Sequence, residues 1–195
     1  MILRDFVLKY ADTPLAGKFL AFFSFAESSF FPVPPDILLI AILTSHNSRK
    51  TYRWAFYSMV TSVFSVLGGA FAYILGFYFY ESAGKAIISF YGLERNIDIA
   101  KAFFEDNAFT AIFLAGFTPI PYKLFTLSAG FFKINFLIFI VASALSRALR
   151  FFGVGYIMKV FGRDMGTFIF KYFNAITLFF AALILFFLLF RYFPF

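Results

Sequence analysis

Five ionisable side chains stand inside otherwise apolar stretches: Glu27, Asp36, Lys123, Arg147 and Arg150. A charge at the centre of a bilayer costs at least about 2.5–3.5 kcal/mol, so each must be paired, solvated by a cavity or neutral. Asp36 directly follows Pro32-Val33-Pro34-Pro35, where it can cap a half-helix that begins at Ile37. Glu27 has no such local role, which makes it the natural proton acceptor of the set. Together Glu27 and Asp36 read as a proton or charge relay. Lys123 ends the run Pro119-Ile120-Pro121-Tyr122-Lys123 and stands where a second half-helix should begin. A cation is disfavoured at that positive dipole end unless an anion occupies the spot, so half-helix amides with the ammonium suit a phosphate or carboxylate. A salt bridge from Lys123 to Asp36 serves equally well from sequence. Arg147 and Arg150 are three apart and share a helix face. They lie too deep in their stretch to snorkel comfortably, and guanidinium groups bind phosphate bidentately. Lys123, Arg147 and Arg150 are therefore the candidate binders of an anionic headgroup. The alternative is that the arginines pair with Glu27 and Asp36.

The elements that must position these charges follow from composition. Of 195 residues 62% are hydrophobic and only 14% charged, against about 25% charged in soluble domains. The chain lacks the polar cover of a soluble enzyme, and its apolar content excludes disorder. It reads as a polytopic all-α membrane protein. The net charge of +7 carries no dense basic run, so nucleic acid is not the expected partner; basic loop ends beside apolar spans account for it. There is no cysteine, and His46 is the single histidine, which leaves no metal or thiolate chemistry to expect and no cofactor.

Five apolar stretches are expected, at about 19–45, 54–80, 108–132, 134–161 and 173–190. The N-terminus does not read as a cleavable signal peptide, because Asp5 and Asp12 sit where a basic leader belongs. Residues 1–18 read instead as an interfacial segment, with Ile2, Phe6, Val7 and Tyr10 on one helical face. Residues 81–107 form an interfacial connector in which Ala86, Phe90, Leu93, Ile97, Ala100 and Phe104 recur at helical spacing, with a bend at Gly92. The remaining organisation is a first repeat over 19–80, a second over 108–161 and a final transmembrane helix over 173–190.

The first and third stretches are broken by proline at matching places, by Pro32, Pro34 and Pro35 and by Pro119 and Pro121. A residue before proline is pushed out of the helical region, so both helices stop there. The arms on either side, 19–31 with 36–46 and 108–118 with 123–132, extend only about 15–20 Å, too short for a core of about 30 Å. Paired placement in two halves points to an inverted repeat with two opposed re-entrant hairpins, about three full transmembrane helices and interfacial helices. Two proline-kinked full spans are the alternative. Counting basic residues gives the same balance for both, but the short loop 46–53 carries Arg49, Lys50 and Arg53 without an acid, which favours hairpins. Either way the N-terminus is expected inside and the C-terminus outside. Small residues in Gly68-Gly69-Ala70-Phe71-Ala72 and Gly153-Val154-Gly155 would allow close helix packing in each half.

The segments Glu27-Ser28-Ser29-Phe30-Phe31-Pro32-Val33-Pro34-Pro35-Asp36, Gly116-Phe117-Thr118-Pro119-Ile120-Pro121-Tyr122-Lys123 and Ser128-Ala129-Gly130 together resemble the DedA family, whose domain is also called SNARE-associated or VTT, and within it the YqaA-like subgroup. The resemblance covers about 20–160. It implies a multi-pass protein of the bacterial inner membrane with two opposed re-entrant hairpins, acting as a lipid flippase or scramblase; some members are implicated in recycling the undecaprenyl phosphate carrier and in envelope maintenance that depends on the proton motive force. Glu27 and Asp36 match the family's acidic pair. Lys123 stands where the better-known branch has arginine, and Phe117 replaces another.

The expected function is therefore movement of an anionic lipid, a phospholipid or polyprenyl phosphate, between leaflets, with membrane lipids and protons as partners. Alternatives are a small-ion or solute transporter and a non-transporting structural protein. An enzyme is not expected, since a lipid phosphate hydrolase would want a histidine nucleophile or a carboxylate metal cluster.

Overall fold

The computed structural model of the protein describes residues 15–30, 34–44, 52–92, 94–118 and 121–161. The expected interfacial helix at the N-terminus, apart from its last residues, and the expected final helix 173–190 lie outside the described residues, as do Pro32 and Pro119.

All regular elements among the described residues are helical. They are α1 (Ala16–Ser29), α2 (Pro35–Thr44), α3 (Arg53–Phe79), a π turn (Tyr80–Gly84), α4 (Lys85–Tyr91), α5 (Glu94–Asp106), α6 (Ala108–Phe117), α7 (Tyr122–Phe131) and α8 (Phe136–Phe161). Both proline-broken stretches are indeed interrupted. Thr118, before Pro119, closes α6 in an extended conformation (φ −87°, ψ 169°) and Pro121 is extended ahead of α7 (φ −61°, ψ 93°). The second arm of the first break begins one residue earlier than the sequence indicates. Pro35 is its first helical residue, a position where its missing N–H costs nothing. The bend at Gly92 is a full break: Gly92 takes a left-handed conformation (φ 62°) that ends α4. The π turn continuing α3 was not foreseen.

Among the described residues, α3 and α8 alone are long and apolar enough to cross a membrane, 27 and 26 residues or about 40 Å each. Their exposure pattern says what they face. On α3 the covered side is small and polar: Ser58, Thr61, Ser62, Ser65, Gly68, Gly69, Ala72 and Gly76 are buried. The uncovered side is large and apolar, with Phe56, Met59 and Tyr78 more than half exposed; Leu137 and Leu149 on α8 behave the same way. A helix inside a soluble core would have these faces reversed, and this arrangement is that of a helix in lipid.

Packing along α3 fixes the directions of its neighbours. α1 runs parallel to it, because Gly17 lies beside Tyr57 and, further on, Ser28 and Ser29 bond Ser65 Oγ (2.7 Å) and the Gly68 carbonyl (3.0 Å). α7 is also parallel but one stage higher: Tyr122 lies against Gly69, Leu127 against Gly76, and the Phe131 ring 5.1 Å from that of Tyr80. α8 is antiparallel, pairing Tyr73 with Phe139 (5.1 Å) and giving Ser58 the Phe151 carbonyl (3.0 Å). One core cluster gathers Ala16, Leu20, Leu38 to Leu43, Phe151 and Met158 at the Trp54 end of α3. The other gathers Tyr73, Ile112, Tyr122, Ala129 and Phe139 toward the far end.

Glycine permits these approaches. A Cβ on Gly68 would run into the Phe25 backbone, and one on Gly130 into the Tyr73 backbone, neither of which can swing aside. Of the second small-residue run only Gly155 is used, against Ser58; Gly153 faces open space, contrary to the sequence reading. Gly130→Ala is therefore expected to destabilise by about 1–3 kcal/mol through overpacking. Gly153→Ala, in an open helical position, should be neutral or stabilising by up to about 1 kcal/mol. Thermal unfolding of the two variants in one detergent checks the contrast.

Candidate functional site

The two breaks bring opposite helix ends together, and α8 supplies the cations between them. Asp36 lies in the first turn of α2, at the positive end of that helix dipole, and is 6% exposed. Thr118 ends α6, so its carbonyl belongs to the orphaned acceptors of a negative helix end. Arg150 bridges the two. Its Nε and Nη2 donate to Asp36 Oδ1 (3.2 Å) and Oδ2 (2.6 Å), and its Nη1 donates to the Thr118 carbonyl (2.9 Å). The planar fork of guanidinium satisfies a bidentate carboxylate and a third acceptor at once, which an ammonium cannot do.

Arg147 is one helical turn away and differently placed. It is 1% exposed, and its guanidinium lies 3.9 Å from the centre of the Tyr122 ring. Its nearest acid is Glu27, with Nη2 3.8 Å from Oε2, an ion pair beyond hydrogen-bond reach. Glu27 Oε2 instead accepts from Ser28 Oγ (3.0 Å), which is itself 2.7 Å from Ser65 Oγ. Arg147 Nε and Nη2, Tyr122 Oη and Ser143 Oγ are buried together, with no hydrogen-bond partner outside this group. Buried polar atoms are nearly always bonded, and an unmet one costs about 1–3 kcal/mol. Tyr122, Ser143 and Arg147 thus gather their polar atoms in one buried place beside Glu27.

Glu27, Asp36, Arg147 and Arg150 are thus brought together. Of the two roles the sequence left open for the arginines, pairing with the acids is what the geometry displays, tightly for Arg150 and loosely for Arg147. Asp36 acts through Arg150 rather than as a bare cap. Asp36 pairs with Arg150, and no bridge joins it to Lys123. Lys123, the second residue of α7, is partly buried and has no ion-pair partner among the described residues. Pro34 and Pro35 precede and open α2, and Pro121 caps α7.

Sequence reasoning missed Tyr122 and Ser143. Ser143 stands four residues before Arg147, the spacing that shares a helix face. Tyr122 fits because Gly69 leaves room for it: a Cβ there would lie 2.7 Å from its hydroxyl.

Residues 33–160, which contain the second break, most of the first, and Asp36, Lys123, Arg147 and Arg150, match the VTT domain. The chain belongs to the VTT-domain, or DedA, family. Two relatives agree with this VTT-domain protein over most of their length. An uncharacterized protein of Haemophilus influenzae is 36% identical over 147 residues, 75% of this chain and 74% of its own. An uncharacterized protein of Histophilus somni is 32% identical over 149 residues, 76% of this chain and 75% of its own. No solved structure matches the VTT-domain chain.

Proposed function

We propose that this VTT-domain protein moves an anionic lipid, a phospholipid or a polyprenyl phosphate, between the leaflets of the bacterial inner membrane. On this reading α1 with α2 and α6 with α7 are re-entrant hairpins that enter from opposite faces. The parallel run of α1 and α3 supports the first hairpin. Both helices start at the same level, so the chain between them must come back to that side. The parallel run of α3 and α7 supports the second in the same way, from the opposite side.

The observation that carries the lipid reading is the buried polar group of Arg147, Tyr122 and Ser143, where the two breaks meet. A phosphate there would take hydrogen bonds from Arg147 and Tyr122, and Lys123 would add charge at the start of α7, while acyl chains stay in lipid. Arg150 holds the two breaks together until an anion competes with Asp36 for it. The chain Glu27, Ser28, Ser65 offers a proton route beside Arg147, so protonation of Glu27 would release Arg147 toward the headgroup. The chemistry is non-covalent, with protons and membrane lipids as partners. The N-terminus and the 45–51 connection face the cytoplasm.

Proteoliposomes containing the purified protein and fluorescent phosphatidylglycerol or phosphatidylcholine test this. Faster flipping of the anionic lipid, with a trapped water-soluble phosphate retained, is expected; release of the soluble anion without lipid movement would favour a solute transporter. Tyr122→Phe removes a hydroxyl whose polar neighbours are Ser143 and Arg147. It should leave stability within about 1 kcal/mol of the parent while lowering flipping several-fold. Unchanged flipping would take the hydroxyl out of the site.

A further inference from the structure

The joint between α7 and α8 is built on a residue that its backbone does not favour. α7 ends in a Schellman arrangement: the Phe132 N–H donates to the Ser128 carbonyl (2.8 Å), that of Lys133 to Gly130 (3.0 Å) and that of Ile134 to Ala129 (2.9 Å). Such a turn needs one left-handed residue, ordinarily glycine or asparagine. Here it is Lys133, with φ at 57°, the one non-glycine in that region among the described residues. A Cβ in this conformation crowds the following carbonyl oxygen, and strain of this kind persists only where the surroundings hold it.

What holds it is the end of α3. The Lys133 ammonium pairs with Glu81 and stands 5.3 Å from the centre of the Phe77 ring and 5.1 Å from that of Tyr80, both within the cation–π range of about 6 Å. Glu81 lies in the π turn, an irregularity that in other helices is often found at functional positions. Lower on α3, Tyr73 Oη donates to the carbonyl of Ile134, the next residue of the joint (2.6 Å). α8 then starts afresh, with Asn135 Oδ1 accepting from the N–H groups of Leu137 (2.9 Å) and Ile138 (3.2 Å). Strain in the joint and a charge pair that opposes its release face one another across 52 residues of chain.

We propose that Glu81 and Lys133 form a charge-operated latch on the second broken stretch. The ion pair holds residue 133 left-handed and keeps the α7–α8 joint closed against α3; loss of the pair lets residue 133 relax and the joint open. Glycine would form the same turn with nothing to release, so a lysine there makes a joint that opens. An exposed ion pair is weak and is screened by salt, and these two side chains are 37% and 34% exposed, so ionic strength works the latch. Tyr122 lies on α7 and Arg147 and Arg150 on α8, so the joint governs how they meet, but the latch does not rest on the transport reading.

Hydrogen exchange on the full-length protein in detergent reads the latch at the amides of Phe132, Lys133 and Ile134. Glu81→Ala should lower their protection at least about ten-fold, and about 1 M salt should do the same to the parent. Lys133→Gly should keep them protected, in low and high salt alike, and adding Glu81→Ala to it should change nothing. Lys85→Gln removes the other partner of Glu81, which pairs within its own helix at 2.6 Å, and should leave the joint closed. Unchanged protection in Glu81→Ala, a joint as open in Lys133→Gly as in Glu81→Ala, an effect of Glu81→Ala that survives beside Lys133→Gly, no response of the parent to salt, or dependence on Lys85 would each overturn the proposal. Protection lost along the whole of α3 and α7 would also overturn it, since the pair would then be a general support of the fold.

Discussion

Arg150→Ala is expected to cost about 3–5 kcal/mol of stability, the largest effect of any single charge in the protein. The substitution leaves Asp36 buried and uncompensated, and removing one partner of a buried ion pair costs this much because the other charge stays behind. It also frees the Thr118 carbonyl that Arg150 Nη1 holds at 2.9 Å. Asp36→Leu combined with Arg150→Met removes both charges at similar volume, and should recover most of the loss, since apolar replacement of a whole buried pair is often neutral or stabilising. Denaturant unfolding in detergent measures the cycle. A cost below about 1 kcal/mol for Arg150→Ala would mean that the pair is solvated and does not fasten the two breaks to one another. The double variant should be folded and yet unable to flip lipid, which separates the role of the pair in stability from its role in function.

The second large effect is on transport. Glu27→Gln is expected to lower lipid flipping per folded protein at least ten-fold and to abolish its response to a proton gradient. It should also lower stability, because Arg147 stays buried with its nearest acid gone, though less than Arg150→Ala does, since the amide still accepts from Ser28 and the lost ion pair is 3.8 Å long. What disappears is the carboxylate beside Arg147 that takes no part in the fork between Arg150 and Asp36. Flipping assayed in liposomes with and without an imposed gradient decides it. A fully active, gradient-responsive variant would remove Glu27 from the mechanism.

How much of this was visible in the chain depends on the kind of force involved. The ends of α1, α2, α6 and α7 were legible to within two or three residues because proline acts locally, through a missing N–H and the conformation it forces on its predecessor. The break at Gly92 was legible for a similar reason. Which arginine meets which acid was not, because Arg147 and Arg150 lie on one face and only the rotation of α8 against the two breaks sends the second to Asp36 and the first toward Glu27. Tyr122 carries no role from sequence, since nothing next to it shows that Gly69, 53 residues earlier, opens a place for its hydroxyl. The parallel course of α1, α3 and α7 is a tertiary fact that periodicity cannot carry. Gly153 failed in the opposite direction: small residues at the right spacing permit close packing, but only a neighbour makes use of it.

The opposed entry of the two broken stretches is tested most directly by single cysteines at positions 18, 47, 96 and 133, labelled from either side of sealed vesicles with a membrane-impermeant maleimide; the parent has no cysteine to interfere. Positions 18 and 47 should label from one side, and 96 and 133 from the other. If 18 and 47 label from opposite sides, or 96 and 133 do, that stretch crosses the membrane and the meeting of the breaks at mid-depth is lost.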